Sequence, residues 1–171
     1  MKLYKDEVKV GILKLFPDVN IPEYRHEGDA CADVRAHNIV KLIRNDVKTD
    51  ISGDFSEITI YPGDRVRIGT GFKLDVPDGW CVNIEGRSGF SFDEGIVVTN
   101  APGKSECIYK GEYMVNLMKV CGDPTVIRKN DRIAQMEIVP QIKMLFHETD
   151  SVSIEEGNER GENGLGSSGV K

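Results

Sequence analysis

Arg87, Ser88 and Gly89 fall in the stretch from 77 to 112, PDGWCVNIEGRSGFSFDEGIVVTNAPGKSECIYKGE, which also holds Glu106 and Tyr109. An arginine offers a fixed, permanently charged fork, a serine a hydroxyl, and a glycine lets backbone come close to a ligand. If Ser88 caps a short turn that follows it, free backbone N–H groups point at the same place, an arrangement that holds phosphate. The triplet alone also fits an ordinary capped turn. Asn100-Ala101-Pro102-Gly103 reads as a turn, and Tyr109-Lys110-Gly111-Glu112 closes a hairpin-like segment. Glu106 lies between the two. A carboxylate beside a phosphate-holding turn can activate water, and a tyrosine three residues later can lay a flat face against a base or sugar. The ordinary alternatives are a solvated loop acid and an aromatic at the edge of the core.

Strands must position these groups. After the turn Pro62-Gly63-Asp64, Val66, Ile68, Thr70, Phe72, Leu74 and Val76 alternate with Arg65, Arg67, Lys73 and Asp75. This period of two predicts one long strand, stopped at Pro77-Asp78-Gly79. Trp80, Val82 and Ile84 repeat the pattern. Met114, Asn116, Met118 and Val120 fall on one face of the next strand with Val115 and Leu117 opposite, a mix of apolar faces as in a strand buried on both sides or at a subunit contact, and Ile133, Met136, Ile138 and Val139 form another strand ending at Pro140. Many short strands between turns predict an all-β sandwich or barrel. Residues 7 to 22 carry a weaker strand signal and a turn at Phe16-Pro17-Asp18. Residues 37 to 57 are polar with irregular apolar spacing and read as a surface loop or an extra hairpin.

At 171 residues the chain is long enough for one domain with a real core. A formal charge of −6 argues against general nucleic-acid binding, although a few converging cations can still hold a nucleotide. No apolar run reaches membrane length, and the first ten residues lack the apolar core of a signal peptide, so the expected location is cytoplasmic. Cys31, Cys81, Cys107 and Cys121 form no CxxC pair and have no histidine cluster nearby, so free thiols are expected rather than a zinc site or a nucleophile. Asp33 reads as a buried acid that bonds backbone or orients an arginine. The tail from 157 to 171 is rich in glycine and serine around a lone Arg160 and lacks a Walker lysine. It reads as a flexible end that can order over a bound triphosphate.

Five segments in order resemble the motifs of the trimeric dUTP diphosphatases (dUTPases): A-C-A-D-V-R-A (30 to 36), R-S-G-F-S-F-D-E-G-I (87 to 96), N-A-P-G-K-S-E-C-I-Y-K-G-E (100 to 112), N-D-R-I-A-Q (130 to 135) and R-G-E-N-G-L-G-S-S-G (160 to 169). The resemblance spans nearly the whole chain. It implies a jelly-roll-like β-barrel over residues 1–156 with one short helix near Ser91 to Glu94, a probable insertion at 37–57 open to a protein partner, and a flexible C-terminal arm at 157–171. It implies a homotrimer with sites shared among subunits and dUTP as substrate, while charge and hydropathy predict no nucleic-acid or membrane partner. Arg87, Ser88 and Gly89 would contact phosphates, supported by Gln135, with Asp33 near the phosphate and metal region. Asn100, Gly103, Lys104 and Ser105 would bind uracil, Tyr109 would pack on deoxyribose, and Met114 would add a nucleoside contact. Arg160, Leu165, Gly166 and Ser167 would close over the nucleotide. Mg2+ would be held by the phosphates and water rather than by direct protein ligands, and Glu106 would be the general base for water attack on the α-phosphorus.

Lys104, Ser105 and Ile108 are atypical of the family's hairpin, and further departures fall at Cys31, Glu106, Leu165 and Asp93. Cys31 replaces a usual glycine. Glu106 replaces the usual aspartate, and a displacement of ~1 Å in such a group can cost ~100-fold in rate. Leu165 replaces a phenylalanine that stacks on the base, a term of about 0.5–1.5 kcal/mol. Asp93 stands where a lysine is usual, which makes that neighbourhood less positive. Two other readings share the framework: a weak or inactive relative that senses nucleotides or binds a protein, and a dCTP deaminase.

Overall fold

The computed structural model describes residues 7–151. The predicted arm, with Arg160, Leu165, Gly166 and Ser167, lies outside the described residues. The chain forms β1 (Gly11–Lys14), β2 (Ala32–Arg35), β3 (Asn38–Arg44), β4 (Val47–Asp54), β5 (Glu57–Ile60), β6 (Arg65–Gly69), β7 (Phe72–Asp75) and β8 (Trp80–Glu85). It continues with α1 (Ser88–Phe92), β9 (Ile96–Val98), β10 (Gly103–Glu106), β11 (Met114–Lys119), β12 (Thr125–Arg128) and β13 (Arg132–Pro140). The architecture is the expected all-β, jelly-roll-like fold. Its main sheets are four-stranded, in the order β10-β8-β13-β2, and five-stranded, in the order β4-β3-β6-β11-β9. Two-stranded pairs, β1-β7 and β12-β5, complete it. Among the described residues no helix is long and apolar enough to cross a membrane.

The alternating face from Val66 to Val76 is buried as its pattern requires. The single long strand is not observed. It breaks at Thr70-Gly71, where Gly71 takes φ +75°, a conformation that disfavours any other residue. A Cβ at Gly71 would also overlap Val19 and crowd His37. Thr70 Oγ1 donates to the Tyr113 carbonyl at 2.7 Å and holds the break in place. The two halves of the alternating run therefore serve different sheets, β6 in the five-stranded one and β7 against β1.

Residues 38 to 54 form a β3–β4 hairpin whose two connecting residues, Asn45 and Asp46, have φ of 51° and 60°. Left-handed residues at both positions match the right-handed twist of the flanking strands. β3 also pairs along its length with β6, so the hairpin extends the sheet and is not a loose loop. Arg44 anchors it. Its Nε lies 3.0 Å from each oxygen of the buried Asp64 carboxylate, its Nη2 donates to Asp64 Oδ2 at 2.6 Å, and the guanidinium lies over the Tyr61 ring. Burial pushes the Asp64 carboxyl up, but the Arg44 hydrogen bonds and the Tyr61 N–H outweigh it and leave it below the usual carboxylate range.

Candidate active site

The helix after β8 spans Ser88–Phe92, three residues earlier at its start than the family resemblance implied. Ser88 is not its cap. Arg87 holds that position in extended conformation, with no side-chain capping hydrogen bond, and Ser88 is the first helical residue. Ser88 and Gly89 are exposed. The loop beyond the helix is fixed from behind by the buried Lys119, whose Nζ donates to the Glu94 carbonyl and to Thr125 Oγ1, and Thr125 Oγ1 donates to Glu94 Oε2 at 2.8 Å.

Arg87 is set by its neighbours. Its Nε meets Asp33 Oδ1 at 3.0 Å and its Nη1 donates to the Arg132 carbonyl at 3.0 Å. The other Asp33 oxygen accepts from Arg132 Nη1 at 2.9 Å. Asp33 therefore orients an arginine, one of the two roles read for it. Gln135 stands in register opposite Asp33 on β2 and Glu85 on β8, in the same neighbourhood. Both carboxylate oxygens of Asp33 are engaged by guanidinium groups, and among the described residues no three His, Cys, Asp or Glu are grouped so as to hold a metal ion.

A second group of predicted residues converges elsewhere. Asn100, Gly103, Lys104, Ser105, Glu106, Tyr109 and Met114 all line one cavity of about 270 Å³. The segment that carries them is not a self-paired hairpin. β10 pairs with β8, while β9 and β11 pair with each other in the other sheet. The turn from Asn100 to Gly103, which includes a cis Ala101–Pro102 peptide, thus carries the chain from one sheet to the other, and the cavity opens where they part.

Glu106 is exposed at the end of β10, and it borders both this cavity and a neighbouring depression that holds Lys104 and Lys143. Tyr109 is fixed at both ends. Its hydroxyl donates to the Glu112 carbonyl at 2.8 Å, and its ring meets that of Tyr113 edge-on at 5.7 Å. Gly111 makes room for this, since a Cβ there would stand 2.5 Å from the Tyr109 hydroxyl oxygen. Ser105 Oγ donates to the Tyr113 hydroxyl at 3.0 Å, and burial pushes the Tyr113 phenol above its ordinary range. Glu112 Oε1 accepts from the Gly71 N–H at 2.8 Å, which ties this wall to the break between β6 and β7.

Arg87, Ser88, Gly89 and Gln135 do not line the cavity. The structure therefore separates the predicted phosphate contacts from the predicted nucleoside contacts. It also adds residues that sequence reading missed: Arg67, Ile84, Val98, Tyr113, Val115 and Asn116 complete the lining. Arg67 looked like one more outward charge on an alternating strand. Asn116 carried a signal, because it is the one polar residue before Lys119 in the otherwise apolar run Met-Val-Asn-Leu-Met.

All four cysteines are free thiols. Cys107, next to Glu106, is half-buried and its Sγ donates to Gln141 Oε1 at 3.7 Å, while Cys121 is exposed and its Sγ faces Gly95, beyond α1. Burial, followed by the charges of Glu137, Glu85 and Asp29, pushes the Cys31 thiol up.

Comparison with known proteins places this geometry. The family model for dUTPase matches residues 50–169. A deoxyuridine 5′-triphosphate nucleotidohydrolase of Thermobifida fusca is 35% identical over 164 residues, covering 95% of this chain and 79% of the relative. One from Gloeobacter violaceus is also 35% identical, covering 96% of this chain and 99% of the relative. Among solved structures, a variant dUTPase of Staphylococcus bacteriophage 80alpha with dUpNHpp matches with a TM-score of 0.70 at 21% identity, covering 95% of this chain and 99% of that one. A variant dUTPase from phage phi11 of S. aureus, described with a structural Mg(II) ion, matches with a TM-score of 0.67 at 17% identity, covering 85% and 99%. With the family model over more than half its length and relatives matched nearly end to end, this chain belongs to the dUTPase family.

Proposed function

We propose that this protein is a dUTP diphosphatase, which hydrolyses dUTP to dUMP and pyrophosphate and so limits uracil in DNA. The observation that carries the reading is the convergence of Asn100, Gly103, Lys104, Ser105, Glu106, Tyr109 and Met114 on one cavity, in a chain of this family. Asn100, Gly103, Lys104 and Ser105 hold the uracil, Tyr109 packs on the deoxyribose, and Met114 completes the nucleoside contacts. The Tyr109 ring is already fixed by the Glu112 carbonyl, so little order is lost when a sugar meets it.

Glu106 is the general base. It takes a proton from water as the water oxygen bonds to the α-phosphorus. The bond from that phosphorus to the oxygen bridging to the β-phosphorus breaks, and pyrophosphate leaves with the electron pair. Arg87, Ser88 and Gly89, with Gln135 behind them, hold the phosphates, and Asp33 keeps the Arg87 fork in place. Magnesium, when bound through phosphate oxygens and water, offsets the charge of the triphosphate. Arg160, Leu165, Gly166 and Ser167 close over the nucleotide in this reading.

The separation of Arg87 from the cavity supports a homotrimer in which one subunit's phosphate contacts serve another's nucleoside cavity. Residues 37–57 are an insertion in this reading, set on the barrel of residues 1–156. The test is pyrophosphate release from dUTP, dTTP, dCTP and UTP, with and without magnesium. Magnesium-dependent release from dUTP alone is expected. Absence of release from dUTP, with dUTP still bound, would overturn the reading in favour of a nucleotide sensor.

A further inference from the structure

Arg67 on β6 and Asn116 on β11 are partners in the sheet register, and both line the nucleoside cavity. Arg67 Nε donates to Asn116 Oδ1 at 2.8 Å. A guanidinium is donor-only and stays charged across the working pH range. The Asn116 amide must therefore turn its oxygen toward Arg67 and its nitrogen away. That nitrogen, Nδ2, lies 3.5 Å from Asn100 Oδ1. So long a contact contributes little energy, but it favours one of the two orientations of the Asn100 amide. The Asn100 oxygen faces Asn116, which leaves its Nδ2 on the side of Gly103. Gly103 has no side chain to fill that space. A Cβ there would stand 3.1 Å from Asn100 Nδ2.

This is a chain of hydrogen bonds with a fixed direction. It starts at a group that can only donate, and each amide passes the direction on. At the end of the chain the cavity meets an N–H donor. We propose that Arg67 and Asn116 are positioning residues that set the polarity of the Asn100 amide, so that the cavity selects a base with a 4-oxo acceptor over one with a 4-amino donor. Uracil carries the acceptor at that position and cytosine the amine. The inference rests on the nucleotide reading above and adds to it the residues that decide between two pyrimidines.

Asn116→Asp tests it directly. An aspartate still accepts from Arg67 but has no N–H for Asn100, whose amide then turns its own nitrogen toward the new carboxylate and its oxygen toward the base. The measurement is the ratio of calorimetric dissociation constants for the α,β-imido analogues of dUTP and dCTP, which are not hydrolysed, in magnesium, with dUTP turnover followed in parallel. Both ligands carry the same triphosphate, so the new charge cancels from the ratio. Preference for dUTP is expected to fall by about tenfold, the scale set by an opposed polar group facing the base. Arg67→Met should reduce the preference in the same direction by less, because Asn116 is then free to take either orientation. Arg67→Lys, which still can only donate, should keep it. Arg67 is exposed, so these two variants leave the core intact if Asn116→Asp fails to fold.

A ratio within twofold of wild type in both Asn116→Asp and Arg67→Met, with dUTP still hydrolysed, would overturn the positioning role and leave the diphosphatase reading standing. Failure of the wild-type protein to bind or hydrolyse dUTP would overturn both.

Discussion

The nucleoside cavity and the Arg87 cluster are built by opposite means. The cavity is concave, and almost every wall comes from a short run of chain, Asn100 to Asn116, with β6 and β8 behind it. Its shape is set by backbone routing between two sheets. The Arg87 cluster is a half-buried set of charges at the turn after β8, and its order comes from one carboxylate shared by two guanidinium groups. One region has the enclosure needed to recognise a base, and the other has the fixed cation needed to meet a phosphate. Neither is a complete site for hydrolysing a nucleoside triphosphate, so on the reading proposed here the chemistry depends on assembly.

The largest effect that would sharpen this contrast is expected at Glu106. Glu106→Gln keeps size and hydrogen bonding but removes the base, and should lower pyrophosphate release on the order of 10³-fold while affinity for the non-hydrolysed α,β-imido analogue of dUTP, measured by calorimetry, changes little. Unchanged turnover would remove Glu106 from the mechanism. Assembly can be tested by complementation. Glu106→Gln and Arg87→Ala copies should each be inactive alone, and a mixture unfolded and refolded together should recover roughly a quarter of wild-type activity if each site draws the two residues from different subunits. No recovery would break the comparison by placing both residues on one chain.

Asp33→Asn should act on one region only. It removes the charge that holds Arg87 Nε and Arg132 Nη1. KM for dUTP should rise about tenfold, while binding of deoxyuridine, which has no phosphate, should not change. A parallel loss of deoxyuridine binding would show that the two regions are not independent.

The smallest effect on activity is expected at Arg44→Met, away from both regions. It strands the buried Asp64 carboxylate and should cost about 2 kcal/mol, below the range for a fully buried pair because Arg44 is partly exposed. The sign with pH follows from the depressed carboxyl. In the native protein its contribution is complete above the unfolded value of about 3.9 and is lost as pH falls through the lower folded value. The difference between the two proteins should therefore be full near pH 6 and shrink as the carboxyl protonates, so their thermal melts should converge toward pH 3.

Much of this was legible in the chain because burial in a sheet has period two. Val66, Ile68, Phe72 and Leu74 identified an inward face without any knowledge of the partner strands. The break within that run was not legible, because it depends on Gly71 meeting Val19 and His37 and on Thr70 reaching Tyr113, all contacts across the fold. The pairing of β3 with β6 is non-local in the same way, and irregular spacing in 38 to 44 hid it. Ser88 fitted a capping role by residue type, yet the turn begins one residue earlier, since Arg87 already has the extended backbone that a cap requires. The residues of the cavity could be named from their order along the chain. Their separation from Arg87 could not, because order carries no distance.

The free thiols give this molecule two built-in reporters. Cys107 sits beside the proposed base, and Cys121 behind the loop that follows α1, the helix that follows Arg87. Alkylation by a small maleimide, followed by peptide mass mapping, would time the exposure of each separately. Cys121, being open, should label first, and Cys107, sheltered against Gln141, later. Nucleotide or subunit contact that covers either region would then register as protection of its own cysteine, with no engineered label and no substitution in the site.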